Sequence, residues 1–195
     1  VYKRQGSSTF SENKIETLVI PDSVERIESG AFSRNKLTSI VIPSSITTIE
    51  AQVFMSNKLT SVRIPNSVTT IGWGAFSSNK LTSVVIPNSV EKIRRSAFSH
   101  NKLTSIDIPS SVKIISHEAF RNNQLKSVVI PESVTNIGRF SFYHNQLTSV
   151  IFPDTPINID DKAFILNFIP KVYISNTTNF SDNSFDGDTE VVIRD

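Results

Sequence analysis

Residues 79–100 read NKLTSVVIPNSVEKIRRSAFSH, and the same pattern recurs before and after them every 22 residues. The clearest mark of this period is an Ile-Pro pair, with a Phe-Pro pair as its last copy. The pairs are Ile20-Pro21, Ile42-Pro43, Ile64-Pro65, Ile86-Pro87, Ile108-Pro109, Ile130-Pro131 and Phe152-Pro153. A fixed period of about 20 to 50 residues is typical of a solenoid or another repeat array. The sequence therefore predicts a chain that grows by adding coils.

Positions within a repeat are numbered as slots, and slot one is the Asn that opens each copy. Seven full 22-residue copies cover residues 13–166 and begin at Asn13, Asn35, Asn57, Asn79, Asn101, Asn123 and Asn145. Residues 1–12 are the predicted tail of a preceding repeat, so we expect the natural protein to extend upstream. Residues 167–195 are the predicted degenerate eighth repeat and C-terminal cap, where Pro170 and Ser175 break the pattern. Terminal repeats are expected to be atypical because one side of their core faces water.

Slots three, six and eight are apolar in every copy, as Leu81, Val84 and Ile86 illustrate. Slots six and eight share one face of a strand, so slots five and seven are predicted to face outward. Proline at slot nine cannot donate to a ladder and ends the strand, so we expect one short strand per repeat. Val90 and Ile93 have the spacing to complete the core on the return side of the coil.

Two columns of identical residues are predicted to stack inside the solenoid. The first is a ladder of phenylalanines at slot twenty, formed by Phe10, Phe32, Phe54, Phe76, Phe98, Phe120, Phe142 and Phe164. The second is the slot-one Asn, which stands where the chain turns back into the sheet. Its amide can donate to and accept from loop backbone groups, so we expect a buried Asn ladder.

Composition excludes several classes of protein. Hydrophobic residues make up 38% of the chain and charged residues 19%, which excludes a charge-dominated disordered chain. No apolar run approaches the roughly 20 residues that span a bilayer, so no membrane insertion is expected. With no Cys, the chain has no disulfide or thiolate site. Residues 1–153 carry 17 basic and 10 acidic groups, whereas residues 154–195 carry 3 and 8, so the end is acidic.

The sequence predicts no catalytic residue, cofactor site or metal site. Serine recurs at structural slots with no His or acid recurring beside it, and no phosphate-binding Gly motif occurs among the 6 glycines. Residues 182–188 resemble the start of a calcium loop, but Ile193 stands where a bidentate Glu is needed. The 3 histidines lie in different repeats without zinc-ligand spacing. Nucleic-acid binding is not expected, because the basic residues lack interleaved aromatic side chains.

The repeat L-x-x-V-x-I-P-x-S-V-x-x-I-x-x-x-A-F resembles the BspA-type leucine-rich repeat, also called the Treponema pallidum type, of bacterial surface proteins. The resemblance covers about residues 9–175, and its constant Asn is similar to Gram-positive surface adhesins. It implies an α/β-type solenoid, mostly β with short 3-10 or irregular return segments, wound as a right-handed coil with a parallel concave sheet. It also implies a non-catalytic extracellular domain, anchored by a segment outside this chain, that adheres to host matrix or receptor proteins, epithelium or other bacteria.

The outward slot-seven column is the first candidate binding surface. It comprises Val19, Val41, Arg63, Val85, Asp107, Val129, Ile151 and Tyr173, flanked at slot five by Ser39, Ser61, Ser83, Ser105, Ser127 and Ser149. Exposed apolar patches often mark protein-docking sites. The alternative is plain strand propensity, because Val suits a pleated surface. Trp73, between Gly72 and Gly74, is a further candidate anchor because aromatic residues are enriched at binding hot spots.

The slot-two lysines are the second candidate surface. Lys14, Lys36, Lys58, Lys80 and Lys102 would form a column with a spacing of about 4.8 Å. Such a stripe fits an anionic glycan or an acidic protein face. The alternative is that these lysines are solvated copies without a partner. A structural stalk, whose repeats only project another domain, is the competing function for the whole chain.

Overall fold

The computed structural model describes residues 4–5 and 8–194, and these residues form fifteen short strands and no helix. The strands are β1 (Arg4–Gln5), β2 (Arg26–Ile27), β3 (Thr48–Ile49), β4 (Ser61–Arg63), β5 (Thr70–Ile71), β6 (Ser83–Val85), β7 (Lys92–Ile93), β8 (Ile114–Ile115), β9 (Ser127–Val129), β10 (Asn136–Ile137), β11 (Ser149–Ile151), β12 (Asn158–Ile159), β13 (Lys171–Ser175), β14 (Asn179–Phe180) and β15 (Glu190–Arg194). Coils are numbered from the repeat that opens at Asn13. Parts of the predicted repeat tail and the last residue of the predicted cap, residues 1–3, 6–7 and 195, lie outside the described residues.

The return side of the solenoid is a continuous parallel sheet of seven strands in the order β3-β5-β7-β8-β10-β12-β14. Its register joins equivalent residues of neighbouring coils, such as Ile71 with Ile93. The Ile at slot fifteen is buried while the residue before it is less buried, which is the alternation of a half-buried strand. The prediction of one strand per repeat is therefore wrong. The expected 3-10 return segments and the α/β classification are not confirmed, because this side is a sheet.

The opposite side carries the predicted strands at slots five to seven. β4 pairs with β6, β9 pairs with β11 and β13 pairs with β15, all parallel. Slot six is buried and slots five and seven are exposed in β4, β6, β9 and β11, so the predicted inward and outward faces are confirmed. Residues 105–107 form no strand, and the sheet on this side therefore consists of separate pairs.

The strands of the return side and of the opposite side form two ladders of hydrogen bonds between coils. A third such ladder runs through the turn that closes each coil. The backbone N–H groups of Gly74, Phe76 and Ser78 donate to carbonyls of the next coil at 2.9–3.0 Å. Slots eighteen and twenty-two hold a left-handed backbone, and most of these residues are not glycine, as Ser78 (φ 57°) and Phe140 (φ 59°) show. A left-handed L-residue costs roughly 1–2 kcal/mol. The ladder between coils holds these residues in that conformation.

Ser78 tests the strain in this turn, because its side chain is exposed. We expect Ser78→Gly to raise the free energy of unfolding by about 0.5–1 kcal/mol, since glycine adopts a positive φ without a Cβ clash. The matched control is Ser83→Gly in β6, where φ is negative and glycine should lower stability by about 0.5–1 kcal/mol. Urea titration followed by circular dichroism measures both. A loss of stability at both positions contradicts strain at slot twenty-two.

The phenylalanine ladder is confirmed. Rings at slot twenty stack from Phe10 to Phe164 with centroid separations of 5.1–6.1 Å. The ladder continues beyond the predicted last ring, because Phe185 stacks on Phe164 at 5.3 Å and is buried. Phe185 follows Phe164 by one residue less than the repeat length, which hides it from a search at fixed period.

The asparagine ladder is also confirmed. Asn79 donates through Nδ2 to the carbonyls of Phe54 (2.9 Å) and Phe76 (3.1 Å), and its Oδ1 accepts from the Leu59 N–H at 3.0 Å. Equivalent bonds recur along the column, and the six asparagines from Asn35 to Asn145 are buried. Each amide thus satisfies buried backbone groups of two neighbouring coils.

The C-terminal end closes with a strand and a carboxylate. β15 pairs with β13 over five residue pairs and covers the last coil on one side. The Asp186 carboxylate accepts from the N–H groups of Leu166 and Asn167, both at 2.9 Å. Asp186 belongs to the segment that resembles a calcium loop, and these two bonds engage both of its carboxylate oxygens.

Candidate functional site

The outer strip, defined as the eight slot-seven residues from Val19 to Tyr173, is exposed along the whole solenoid. Its apolar members are Val19, Val41, Val85, Val129, Ile151 and Tyr173, and their exposed fractions range from 87% at Val19 to 47% at Tyr173. The pleat sets this orientation, because slots six and eight bury the opposite face of the same strands. The six serines at slot five beside the strip are also exposed. The geometry brings the predicted strip residues together on one face.

Two depressions of the outer strip lie beside its charged residues. The larger, of about 550 Å³, lies between coils two and three and is lined by Val41, Arg63 and Ser44 among others. The smaller, of about 200 Å³, lies between coils five and six beside Asp107 and Val129. Arg63 and Asp107 are both exposed, so the strip presents one cation and one anion two coils apart. That separation is about 10 Å at the strand spacing of a sheet.

The five slot-two lysines line one edge of the solenoid, called the Lys edge, as the sequence predicted. Lys14, Lys58, Lys80 and Lys102 are exposed, and Lys36 is half-buried. Their backbones are tied into the fold, because the N–H groups of Lys58 and Lys80 donate to carbonyls of the preceding coil at 2.9 Å. None of the ion pairs among residues 8–194 involves these ammonium groups. The edge is a solvated row of positive charge.

Sequence reasoning missed a cluster on the turn side of coils four and five, centred on Glu118. This carboxylate accepts from Ser96 Oγ (3.0 Å), Arg121 Nη1 (2.7 Å) and Arg95 Nε and Nη2 (both 3.3 Å). Burial raises the pKa of Glu118, but these hydrogen bonds and the charge of Arg95 outweigh it and leave that pKa below its ordinary value. The cluster is a fixed, ionised acceptor at the surface.

Aromatic rings extend this cluster toward coil six. The Arg121 guanidinium lies over the rings of Tyr143 (5.0 Å) and Phe140 (5.6 Å), and Arg139 lies over Phe140 at 4.6 Å. Phe140 and Tyr143 meet edge to face at 5.2 Å. These cation–π contacts fix Arg121 against Glu118.

Asn122 links two histidines at slot twenty-two. Its Nδ2 donates to His100 Nδ1 at 3.0 Å, and its Oδ1 accepts from His144 Nδ1 at 3.0 Å. Burial lowers the pKa of His100 below the ordinary imidazole value, the charge of Arg121 adds to this, and Glu118 opposes it. This shift favours the neutral imidazole of His100.

The sequence of the repeats matches the model of a known protein family. The family model of the BspA type leucine-rich repeat region, with six copies, matches residues 3–124 and 91–192. The chain belongs to the BspA-type leucine-rich repeat family. The match confirms the resemblance drawn from the repeat motif, and it identifies the chain as a leucine-rich repeat domain of a bacterial type.

Solved structures of bacterial leucine-rich repeat proteins resemble this BspA-type domain. A leucine rich cell surface protein from Faecalibacterium prausnitzii is 21% identical over 82% of this chain and 61% of its own, with a TM-score of 0.50. A leucine-rich repeat protein from Eubacterium ventriosum is 25% identical over 80% of this chain and 33% of its own, with a TM-score of 0.47. The pneumococcal vaccine antigen PcpA is 17% identical over 98% of this chain and 74% of its own, with a TM-score of 0.48.

The likeness to the Faecalibacterium prausnitzii protein shows the fold alone, since its identity is 21%. The BspA-type domain spans a third of the length of the Eubacterium ventriosum protein and 61% of the Faecalibacterium prausnitzii protein. No curated protein matches the sequence.

Within the described residues, no helix is long and apolar enough to cross a membrane. Across the same part of the BspA-type domain, no group of three or more His, Asp or Glu side chains is placed to hold a metal ion.

Proposed function

We propose that this domain is a non-catalytic, protein-binding module of a bacterial surface protein, and that it adheres to host or bacterial partner proteins through the outer strip. The supporting observation is the single column of six exposed apolar side chains. Scattered surface apolar residues need no explanation, but apolar residues aligned on one face, here interrupted by Arg63 and Asp107, are typical of an interaction site. The extracellular location is supported by the family and by the cell-surface name of one structural neighbour.

The dimensions of the outer strip suit an elongated contact. From Val19 to Tyr173 it crosses eight coils, a length of about 34 Å at the usual strand spacing. Full burial of one Val side chain contributes about 1.5 kcal/mol, so several valines at the centre of a contact give a substantial driving force. Arg63 and Asp107 would then fix the register of the partner, because charges across an interface favour one alignment.

Two other functions are compatible with the fold. The Lys edge offers a positive stripe for an anionic glycan, and such binding would depend on charge rather than on apolar contact. A stalk would need neither surface and would show no affinity for a partner. The outer strip is preferred because its residues differ from coil to coil and so carry positional information, whereas the Lys edge repeats one residue.

We expect Val85→Glu and Val129→Glu to abolish binding with little change in stability, because each places a charge at the centre of the contact, where it would be desolvated. The assay measures the labelled domain on cultured epithelial cells and on immobilised matrix proteins. The matched control is Ile114→Glu, which makes the same change at an exposed apolar residue of the return sheet. This control should bind as the wild type does.

Binding through the Lys edge would give the opposite result in the same assay. In that case, replacing Lys36, Lys58 and Lys80 by Gln should weaken binding, and so should raising the salt concentration from about 0.05 to about 0.5 M. The Val85 and Val129 variants would then bind normally, which contradicts the outer-strip proposal. No binding by the wild type on any of these surfaces supports the stalk.

A further inference from the structure

A shallow depression of about 320 Å³ opens on the turn side of coils three and four, away from the outer strip. Slot twenty-one forms its floor, where the buried Ser77 and Ser99 hydrogen-bond to each other through their Oγ atoms at 2.9 Å. The same slot holds the larger Met55 in coil two and Arg121 in coil five. The depression exists because two small residues stand between two large ones, and its volume lies within the range of small-molecule sites, about 300–1,000 Å³.

Trp73 forms one wall of the depression and is 48% exposed. Both of its neighbours are glycines. Gly72 is required by the backbone, because a Cβ there would lie 2.6 Å from the Ile49 carbonyl oxygen, and Gly74 adopts the left-handed φ of 60° without strain. The Trp73 carbonyl accepts from the Gln52 N–H at 2.7 Å, which ties the backbone below the ring to coil two. The backbone that carries the indole is therefore constrained, so that a ligand that contacts the indole needs to order little of the chain.

Hydrogen-bonding groups of both kinds surround the indole. Glu118 is an oriented acceptor. Arg95 donates to it through Nε and Nη2, and its Nη1 has no acceptor among the described residues. His100 adds an imidazole ring that contacts the Asn122 amide. Ser78 adds a hydroxyl that both donates and accepts. Arg95 and Glu118 give the lining one charge of each sign, which favours an uncharged ligand, and Arg121 contacts Glu118 from outside the lining.

We propose that this depression binds one pyranose ring of a neutral glycan, with the indole of Trp73 stacked on the apolar face of the sugar. A sugar ring combines one apolar face with hydroxyls that donate and accept, and the depression offers the complement of both. The site differs from the outer strip in its position and ligand class, so it does not rest on the proposed protein-binding function. An open site for one ring should have a dissociation constant on the order of 1 mM.

Intrinsic fluorescence tests the proposal directly, because Trp73 is the only Trp in the chain. The probes are methyl β-galactopyranoside, methyl α-mannopyranoside and methyl β-N-acetylglucosaminide, each titrated to several times the expected dissociation constant. At least one should change the Trp73 emission with a saturable curve. An immobilised array of neutral mammalian and bacterial glycans, probed with the multimerised domain, adds avidity and distinguishes the two sources.

Two variants test whether binding to the array uses this depression. Trp73→Ala should lose at least tenfold in array binding, and Ser77→Met should do the same, because it fills the floor with the side chain that coil two carries at this slot. Circular dichroism should show both folded, and Val85→Glu on the outer strip should bind the array as the wild type does. Equal array binding by wild type and folded Trp73→Ala, or binding confined to acidic glycans or to proteins, overturns the proposal.

Discussion

Replacement of Phe98 by alanine should lower the free energy of unfolding by about 3–5 kcal/mol, which is the usual effect of a large-to-small change at a buried aromatic residue. Phe98 is fully buried and stacks on Phe76 at 5.5 Å and on Phe120 at 5.7 Å. Its loss therefore leaves a cavity between two rings rather than at one end of the ladder. Neighbouring coils stabilise one another, so the loss should also reduce cooperativity.

The matched control for Phe98→Ala is Phe168→Ala. Phe168 stands at slot two of the eighth repeat, is 70% exposed and should tolerate alanine with a loss below about 0.5 kcal/mol. Urea unfolding followed by circular dichroism measures both variants. A loss below about 1 kcal/mol at Phe98 would show that slot twenty does not carry the core.

Substitution of Asn79 should be the second most damaging change. Asn79→Ala leaves the Leu59 N–H without its acceptor and the Phe54 carbonyl without this donor, at a cost of about 1–3 kcal/mol. Asn79→Asp should cost more, since a carboxylate has no donor for the carbonyls that Nδ2 serves. It would also place a buried charge beside those carbonyls.

The control for Asn79 is Asn88→Ala, because Asn88 is exposed in the turn after the slot-nine proline. It should change stability by no more than about 0.5 kcal/mol. Lowering the pH should partly rescue Asn79→Asp, since the protonated carboxyl regains an O–H donor. If Asn79→Ala keeps full stability, the Asn column contributes nothing to the stacking of coils.

The inner columns were predictable from the sequence because they repeat without exception. Slot twenty is Phe and slot one is Asn in all seven full copies, so the period alone predicts two buried columns, although Asn13 in the first coil is exposed. The return sheet was not predictable in the same way. Its strands hold only two residues, and the residue before the slot-fifteen Ile changes from Thr70 to Lys92 to Ile114 in successive coils. Two residues are too few to show an alternating pattern.

One surface feature was predictable from the repeat pattern and another was not. The exposure of the outer strip follows from the pleat and was predicted for Val85, Val129 and their equivalents. The Glu118 cluster was missed because Glu118, Arg95 and Arg121 occupy slots whose residue changes from coil to coil, and Arg95 comes from the preceding coil. Arg95 lies 23 residues before Glu118, one residue more than the period, and that offset of opposite charges was the available signal. The positive φ at Phe140 gave no signal, since glycine is absent there.

The three hydrogen-bonded ladders have a mechanical consequence for a protein pulled from its two ends. All of them join a coil only to its neighbours, so tension along the axis acts first on the bonds of the terminal coil. One folded coil advances the axis by about 4.8 Å. Its 22 residues, drawn out, span about 75 Å. Each coil that peels away lengthens its segment about fifteenfold while the remaining coils stay intact, which makes the solenoid an extensible spring.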